Sequence, residues 1–70
     1  SVKVEAGAAG KIFKIEASVG KAVKAGEPVV ILEAMKMEIP VVAPQDGTIA
    51  SIDVAVGDAV EAGAVLATMN

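Results

Sequence analysis

Residues 28–43 read PVVILEAMKMEIPVVA. The flanks are nearly all Val, Ile, Leu and Pro, and β-branched side chains favour strands because their stiff χ1 suits a pleated surface. Strands usually stop by about ten residues, so this run of 16 has to fold back on itself. Its least apolar point is the hexapeptide Glu33–Glu38, EAMKME. A two-residue turn centred on Met35 and Lys36 pairs Ala34 with Met37, Glu33 with Glu38, Leu32 with Ile39 and Val30 with Val41, so apolar meets apolar down the hairpin. The turn breaks local rules. Tight hairpins want Asn-Gly or another Gly where φ is positive, and Met-Lys offers neither. Ala, Met, Lys and Glu are good helix formers, but six residues between β-branched runs are too few for a stable helix. Glu33 opposite Glu38 sets like charges side by side, which ordinarily destabilises a ladder. Such conflict between local preference and global fold is expected at functional sites.

Outward from the hairpin, the chain contains itself twice. Residues 6–33, AGAAGKIFKIEASVGKAVKAGEPVVILE, align without a gap on residues 43–70, APQDGTIASIDVAVGDAVEAGAVLATMN, at an offset of 37 with ten of 28 positions identical. Gly10, Gly20 and Gly26 fall in register with Gly47, Gly57 and Gly63. Two copies are too few for a solenoid; the arrangement points to one pseudo-twofold domain over residues 1–70, each half closing on the other. In each copy a period-two segment marks a strand with one buried face. Phe13, Ile15 and Ala17 alternate with Lys14 and Glu16, and Ala50, Ile52 and Val54 with Ser51 and Asp53. On that alternation Ile12 and Ile49 fall on the polar side, as strand ends or bulge positions. VGKAVKAG and its copy VGDAVEAG read as glycine-bounded turns, with Val23 and Val60 tucked beneath them. Pro28–Leu32 and Val65–Met69 read as short apolar strands. Pro28 and Pro44 suit strand starts, and Pro40 suits an edge strand or a bulge. Seven or eight short strands with frequent turns make an all-β sandwich or barrel.

The absences bound the chemistry. The chain has no Cys, His or Arg. It therefore lacks disulfides, a thiol nucleophile, Cys-type metal sites, the usual neutral-pH general base and bidentate anion recognition. Six lysines against nine acids, net −3, do not make the basic patch that a nucleic-acid backbone requires. The longest charge-free stretch, Ala62–Asn70, is nine residues, far short of the roughly 20 of a membrane-spanning helix. SVKVEAG has no signal-peptide pattern, so a cytoplasmic location is expected. The abrupt strand-like start reads as a domain cut from a longer chain. No phosphate-cradling glycine pattern is present; the glycines are turn residues. Lys3, Lys11, Lys14, Lys21 and Lys24 read as solubilising charges. Met35 and Met37, which a core would ordinarily absorb, project from the turn and frame Lys36 as a recognition surface.

Together, EAMKME, A-P-x-x-G-T-I at Ala43–Ile49 and V-G-D-x-V-x-A-G at Val56–Gly63 resemble the biotinyl (biotin carboxyl carrier) domain family over essentially the whole chain. The resemblance implies a flattened barrel-sandwich hybrid of two four-stranded antiparallel sheets with quasi-twofold symmetry and the biotinyl-lysine hairpin at one end. It implies that a biotin protein ligase joins biotin to the ε-amine of Lys36, with Ala34, Met35 and Met37 as the motif around it. The biotin then carries CO₂ as carboxybiotin between the active sites of partner biotin carboxylase and carboxyltransferase or decarboxylase subunits, and the domain itself is non-catalytic. Glu33 and Glu38 are placed to meet those partners. Where family members often have A-P-M-x-G in the first half, this chain has AGAAG at Ala6–Gly10, so the first turn lacks its proline. The gapless match of the halves leaves no room for the inserted thumb loop of some acetyl-CoA carboxylase carriers. This points to decarboxylases, transcarboxylases and pyruvate- or propionyl-type carboxylases acting on an acyl-CoA or 2-oxo acid, with the chain as the C-terminal part of a longer carrier subunit. Two alternatives stand beside it. A lipoyl domain of a 2-oxo-acid dehydrogenase complex shares the fold but usually has D-K-A at the lysine. An unmodified structural barrel-sandwich module would keep the repeat without needing A-M-K-M.

Overall fold

The computed structural model describes residues 1–70. Eight strands follow one another: β1 (Val2–Glu5), β2 (Gly10–Ile15), β3 (Ala22–Val23), β4 (Pro28–Ala34), β5 (Met37–Val42), β6 (Gly47–Ile52), β7 (Ala59–Val60) and β8 (Val65–Met69). They form two antiparallel four-stranded sheets, ordered β1-β8-β6-β3 and β5-β4-β2-β7. Moving each strand by 37 residues, forward for β1 and β3 and back for β8 and β6, turns the first order into the second, so the repeat in the sequence is a twofold relation in space. Each half contributes its shortest strand to the other half's sheet, β3 to β6 and β7 to β2.

The hydrogen bonds repeat with the same offset. Gly20 N–H donates to the Ile49 carbonyl and Gly57 N–H to the Ile12 carbonyl, both at 2.8 Å. Ile49 N–H donates to Lys21 O at 2.9 Å and Ile12 N–H to Asp58 O at 2.8 Å. Gly20, Gly26, Gly57 and Gly63 all have φ between 85° and 95°, which L side chains resist; these are the turns on which the exchanged strands depend. The core repeats too. Of its 14 buried residues, twelve are twofold pairs: Val4/Val41, Ala6/Ala43, Ile12/Ile49, Val29/Leu66, Val30/Ala67 and Leu32/Met69. Ala17 and Val23 complete it, while their mates Val54 and Val60 are partly buried against it.

Two expectations are corrected. Strict alternation turns Phe13 inward and Ile12 outward, yet Ile12 and Ile49 are each 1% exposed and Phe13 is 47% exposed. The ladder slips between Ile12 and Lys14, and equally between Ile49 and Ser51. A bulge adds one residue there, so Phe13 and Lys14 both face out and the pleat resumes with Ile15 and Ala17 turned in. Pro44 lies in the bend before β6 rather than at a strand start. Pro28 does open β4, and Pro40 sits in β5, an edge strand, where its missing N–H leaves no ladder bond unmade.

The β4–β5 register is Val30↔Val41, Leu32↔Ile39, Glu33↔Glu38 and Ala34↔Met37. The turn residues Met35 and Lys36 have φ of 52° and 62°, the sign required by a type I′ hairpin turn. Neither is glycine, and a left-handed L-residue costs about 1–2 kcal/mol.

Three outcomes follow from this architecture. Met35→Asn, a residue tolerant of positive φ, should raise stability by about 0.5–1 kcal/mol, read as a higher urea midpoint at unchanged m-value. Gly10→Ala should cost about 1–3 kcal/mol, because a methyl there would collide with the carbonyl oxygen of Glu33. Finally, the Lys21 ammonium and then the Lys24 backbone N–H hold the Glu27 carboxyl below its ordinary pKa. A depressed acid stabilises the fold above its unfolded pKa, and that contribution fades as pH falls through the lower folded value. Glu27→Gln should therefore lower the thermal midpoint near neutrality and flatten its decline on acidification.

Candidate functional site: the Met35–Lys36 hairpin

Every site residue named from the sequence lies in this one hairpin. Its arms are anchored in the core by Val30, Leu32 and Val41. Beyond Leu32 the chain leaves the core: Glu33 and Glu38 are exposed, Ala34 is half-buried, and Met35 and Lys36 form the apex. Met35 is 92% exposed and Met37 59%, whereas the third methionine, Met69, is fully buried. A flexible thioether is at home in a core. Two of the three instead stand in solvent on either side of one lysine and take no part in the core.

Lys36 is free of ion pairs. The two salt bridges of the protein, Lys14–Glu16 and Lys21–Glu27, lie elsewhere. Glu33 and Glu38 flank the apex on the outer face of the sheet, and Lys11 of β2 stands in register across from Glu33. No cluster of His, Cys, Asp or Glu could hold a metal ion, no polar side chain is buried, and the surface has no pocket. The arrangement can present a primary amine for acylation, and it offers no acid–base or nucleophilic machinery of its own.

Sequence reasoning missed one contributor to the site and the exposure of Phe13. Gly10 supports the site through what it lacks, since β2 presses against the Glu33 carbonyl just below the apex. Its in-register partner Gly47, which packs the same way against Asn70 O, was the available signal. Phe13, the chain's one aromatic residue, lies on the same outer face as Glu33 and Glu38, and strict alternation hides it.

The family described as biotin-requiring enzymes matches residues 1–69. The biotin carboxyl carrier protein of Streptococcus mutans is 45% identical over 60 residues, covering 86% of this chain and 46% of that protein. Urea carboxylase of Kluyveromyces lactis superposes with a TM-score of 0.93 at 38% identity, over 97% of this chain and 6% of that one. The lipoyl domain of the 2-oxoglutarate dehydrogenase complex of Azotobacter vinelandii gives a TM-score of 0.80 at 30% identity, over 100% of this chain and 96% of that domain. This chain thus spans less than half of the carrier protein and a tenth or less of longer carboxylase relatives. A hairpin that offers an amine without catalytic groups fits these matches, and the chain belongs to the biotin/lipoyl attachment family of biotin-requiring enzymes, as a small carrier rather than a catalytic part.

Proposed function

We propose that this chain is the biotin carboxyl carrier domain of a biotin-dependent carboxylase, decarboxylase or transcarboxylase, and that Lys36 is the residue to which biotin is covalently joined. The observation that carries the reading is the position of Lys36. It is the apex of a hairpin anchored in the core, between two exposed methionines, with no ionic partner. The fold is shared with a lipoyl domain, so the fold does not choose the cofactor. The M-K-M sequence and the biotin-requiring family match favour biotin.

The division of labour follows from chemistry. Primary alkylamines are protonated at neutral pH, so a biotin protein ligase has to bring an activated acyl group and a base. The hairpin contributes fixed geometry, since an attachment site on a rigid element is presented more accurately than one on a loose loop. In the attachment step the ε-nitrogen bonds to the carboxyl carbon of biotinyl-adenylate, AMP leaves, and the amine proton passes to the ligase base or to water. When attached, biotin supplies the ring that carries a carboxyl group between catalytic centres. The chain's own residues supply reach and a smooth, pocketless surface, and tethering turns each delivery into an intramolecular event at high effective concentration. Its partners are the ligase and the subunits that load and unload the carboxyl group. This division explains how a chain without His, Cys or Arg serves an enzyme.

Co-expression with a biotin protein ligase should add one biotinyl group to the intact mass. Lys36→Arg should show no gain while keeping the fold by circular dichroism. A biotinyl group on the Arg variant would place the site elsewhere.

A further inference from the structure

The two halves of the chain are held together by pairing and packing, and by one covalent link. Only the β2–β4 and β6–β8 pairings lie within a half. The β1–β8, β2–β7, β3–β6 and β4–β5 pairings all cross between residues 1–34 and residues 37–70. The matching half of a second chain can make every one of these contacts equally well. The covalent link is the Met35–Lys36 turn, and it is the one place in the protein where residues other than glycine stand at positive φ. The remaining positive-φ positions are Gly20, Gly26, Gly57 and Gly63, which bear that geometry without strain. Backbone strain is therefore concentrated in the one connection whose opening need cost no contact between halves.

The register on either side suits an opened link. From Val30↔Val41 to Ala34↔Met37 the β4–β5 ladder runs without a slip. Between two antiparallel chains the same ladder continues through the link, setting Met35 of each opposite Lys36 of the other. Neither Gly nor Pro stands at the link, so nothing there resists an extended strand. Once extended, Met35 and Lys36 leave the left-handed region, and two chains together relieve four strained residues. The strand that results, Pro28–Val42, is long for one sheet. Each of the two bodies uses only one arm of it, β4 from one chain and β5 from the other. What opposes the exchange is concentration. Within one chain the halves meet at a high effective concentration, which a second chain has to match.

We infer that this chain exchanges halves with a second copy of itself, opening at Met35–Lys36 to form a dimer of two complete barrels joined by a continuous β4–β5 ribbon. Residues 1–34 of each copy close on residues 37–70 of the other. Short hinges under strain favour such exchange. Four strand pairings have to break before the halves part, so exchange passes through unfolding and is slow in the native protein. In the dimer Lys36 lies midway along a ribbon between two bodies instead of at the free end of one. Its amine is then no longer offered at an apex for acylation. That consequence rests on the carrier reading of Lys36, whereas the exchange itself does not.

The test equilibrates the chain at micromolar and at millimolar concentration by holding it near its thermal midpoint, then cools it and measures its mass by sedimentation. The wild type should populate a dimer at millimolar concentration. Met35→Asn combined with Lys36→Gly, a pair that closes a type I′ turn without strain, should weaken that dimer by about a hundredfold or more. Refolding a mixture of ¹³C-labelled and unlabelled chains shows how the dimer is built: the Val30–Val41 and Leu32–Ile39 methyl contacts should run between chains. A biotin protein ligase should modify the isolated dimer at least about tenfold more slowly than the monomer, and the monomer's own gain in mass tests the carrier reading separately. A chain that stays monomeric at millimolar concentration would overturn the inference. So would a dimer whose Val30–Val41 contacts lie within one chain, or one that the Asn and Gly substitutions leave as tight as before. Equal biotinylation of dimer and monomer would overturn the consequence drawn for Lys36.

Discussion

The structure depends on an exchange. β3, two residues long, pairs only with β6 of the other half, and β7 only with β2. The Gly20–Ile49 and Gly57–Ile12 hydrogen bonds close both crossings. Each sheet draws two strands from each half, so a half taken alone would leave the β2–β4 or β6–β8 pair without both of its neighbours. The two become one cooperative unit that buries twelve of its 14 core residues as symmetric pairs. With no aromatic in that core, Val, Ile, Leu, Ala and one Met fill a thin space in which even one methylene is felt.

The shell then does for the hairpin what the hairpin's own sequence does not. Met35 and Lys36 hold left-handed backbone against their intrinsic preference because the apolar pairs below them, Val30↔Val41 and Leu32↔Ile39, fix the register. A one-residue slip would turn a whole face of β4 or β5 from core to solvent. Strain persists only where the surroundings over-determine it, and it gathers at functional places. Here it holds the lysine on a defined reversal.

Much of this was legible in the sequence for identifiable reasons. The hairpin register could be read because only one pairing sets apolar against apolar on both arms. The twofold could be read because glycines at positive φ cannot drift in sequence without strain. The EAMKME hexapeptide stood out because it violates the turn chemistry its neighbours impose. Other features were not legible. The break in alternation marked Ile12 and Ile49 as strand ends or bulge positions, and the ladder does slip there, but the inward turn of Ile12 and the outward turn of Phe13 needed the ladder itself. Ala22–Val23 and Ala59–Val60 are too short to read as strands, and what makes them strands is a partner distant in sequence, Gly47–Thr48 for the first and Gly10–Lys11 for the second. Gly10 reads as one more turn glycine, although it is needed for the close passage of β2 beneath Glu33.

The central claim is that Lys36 is held out on a rigid reversal imposed by the shell. Backbone ¹⁵N relaxation of the biotinylated chain tests it most directly. Order parameters at Met35 and Lys36 near ~0.85, equal to those of the β4 and β5 arms, are the result expected of a rigid backbone. Values below ~0.6 at those two residues, against rigid arms, would show a loose loop and contradict the account.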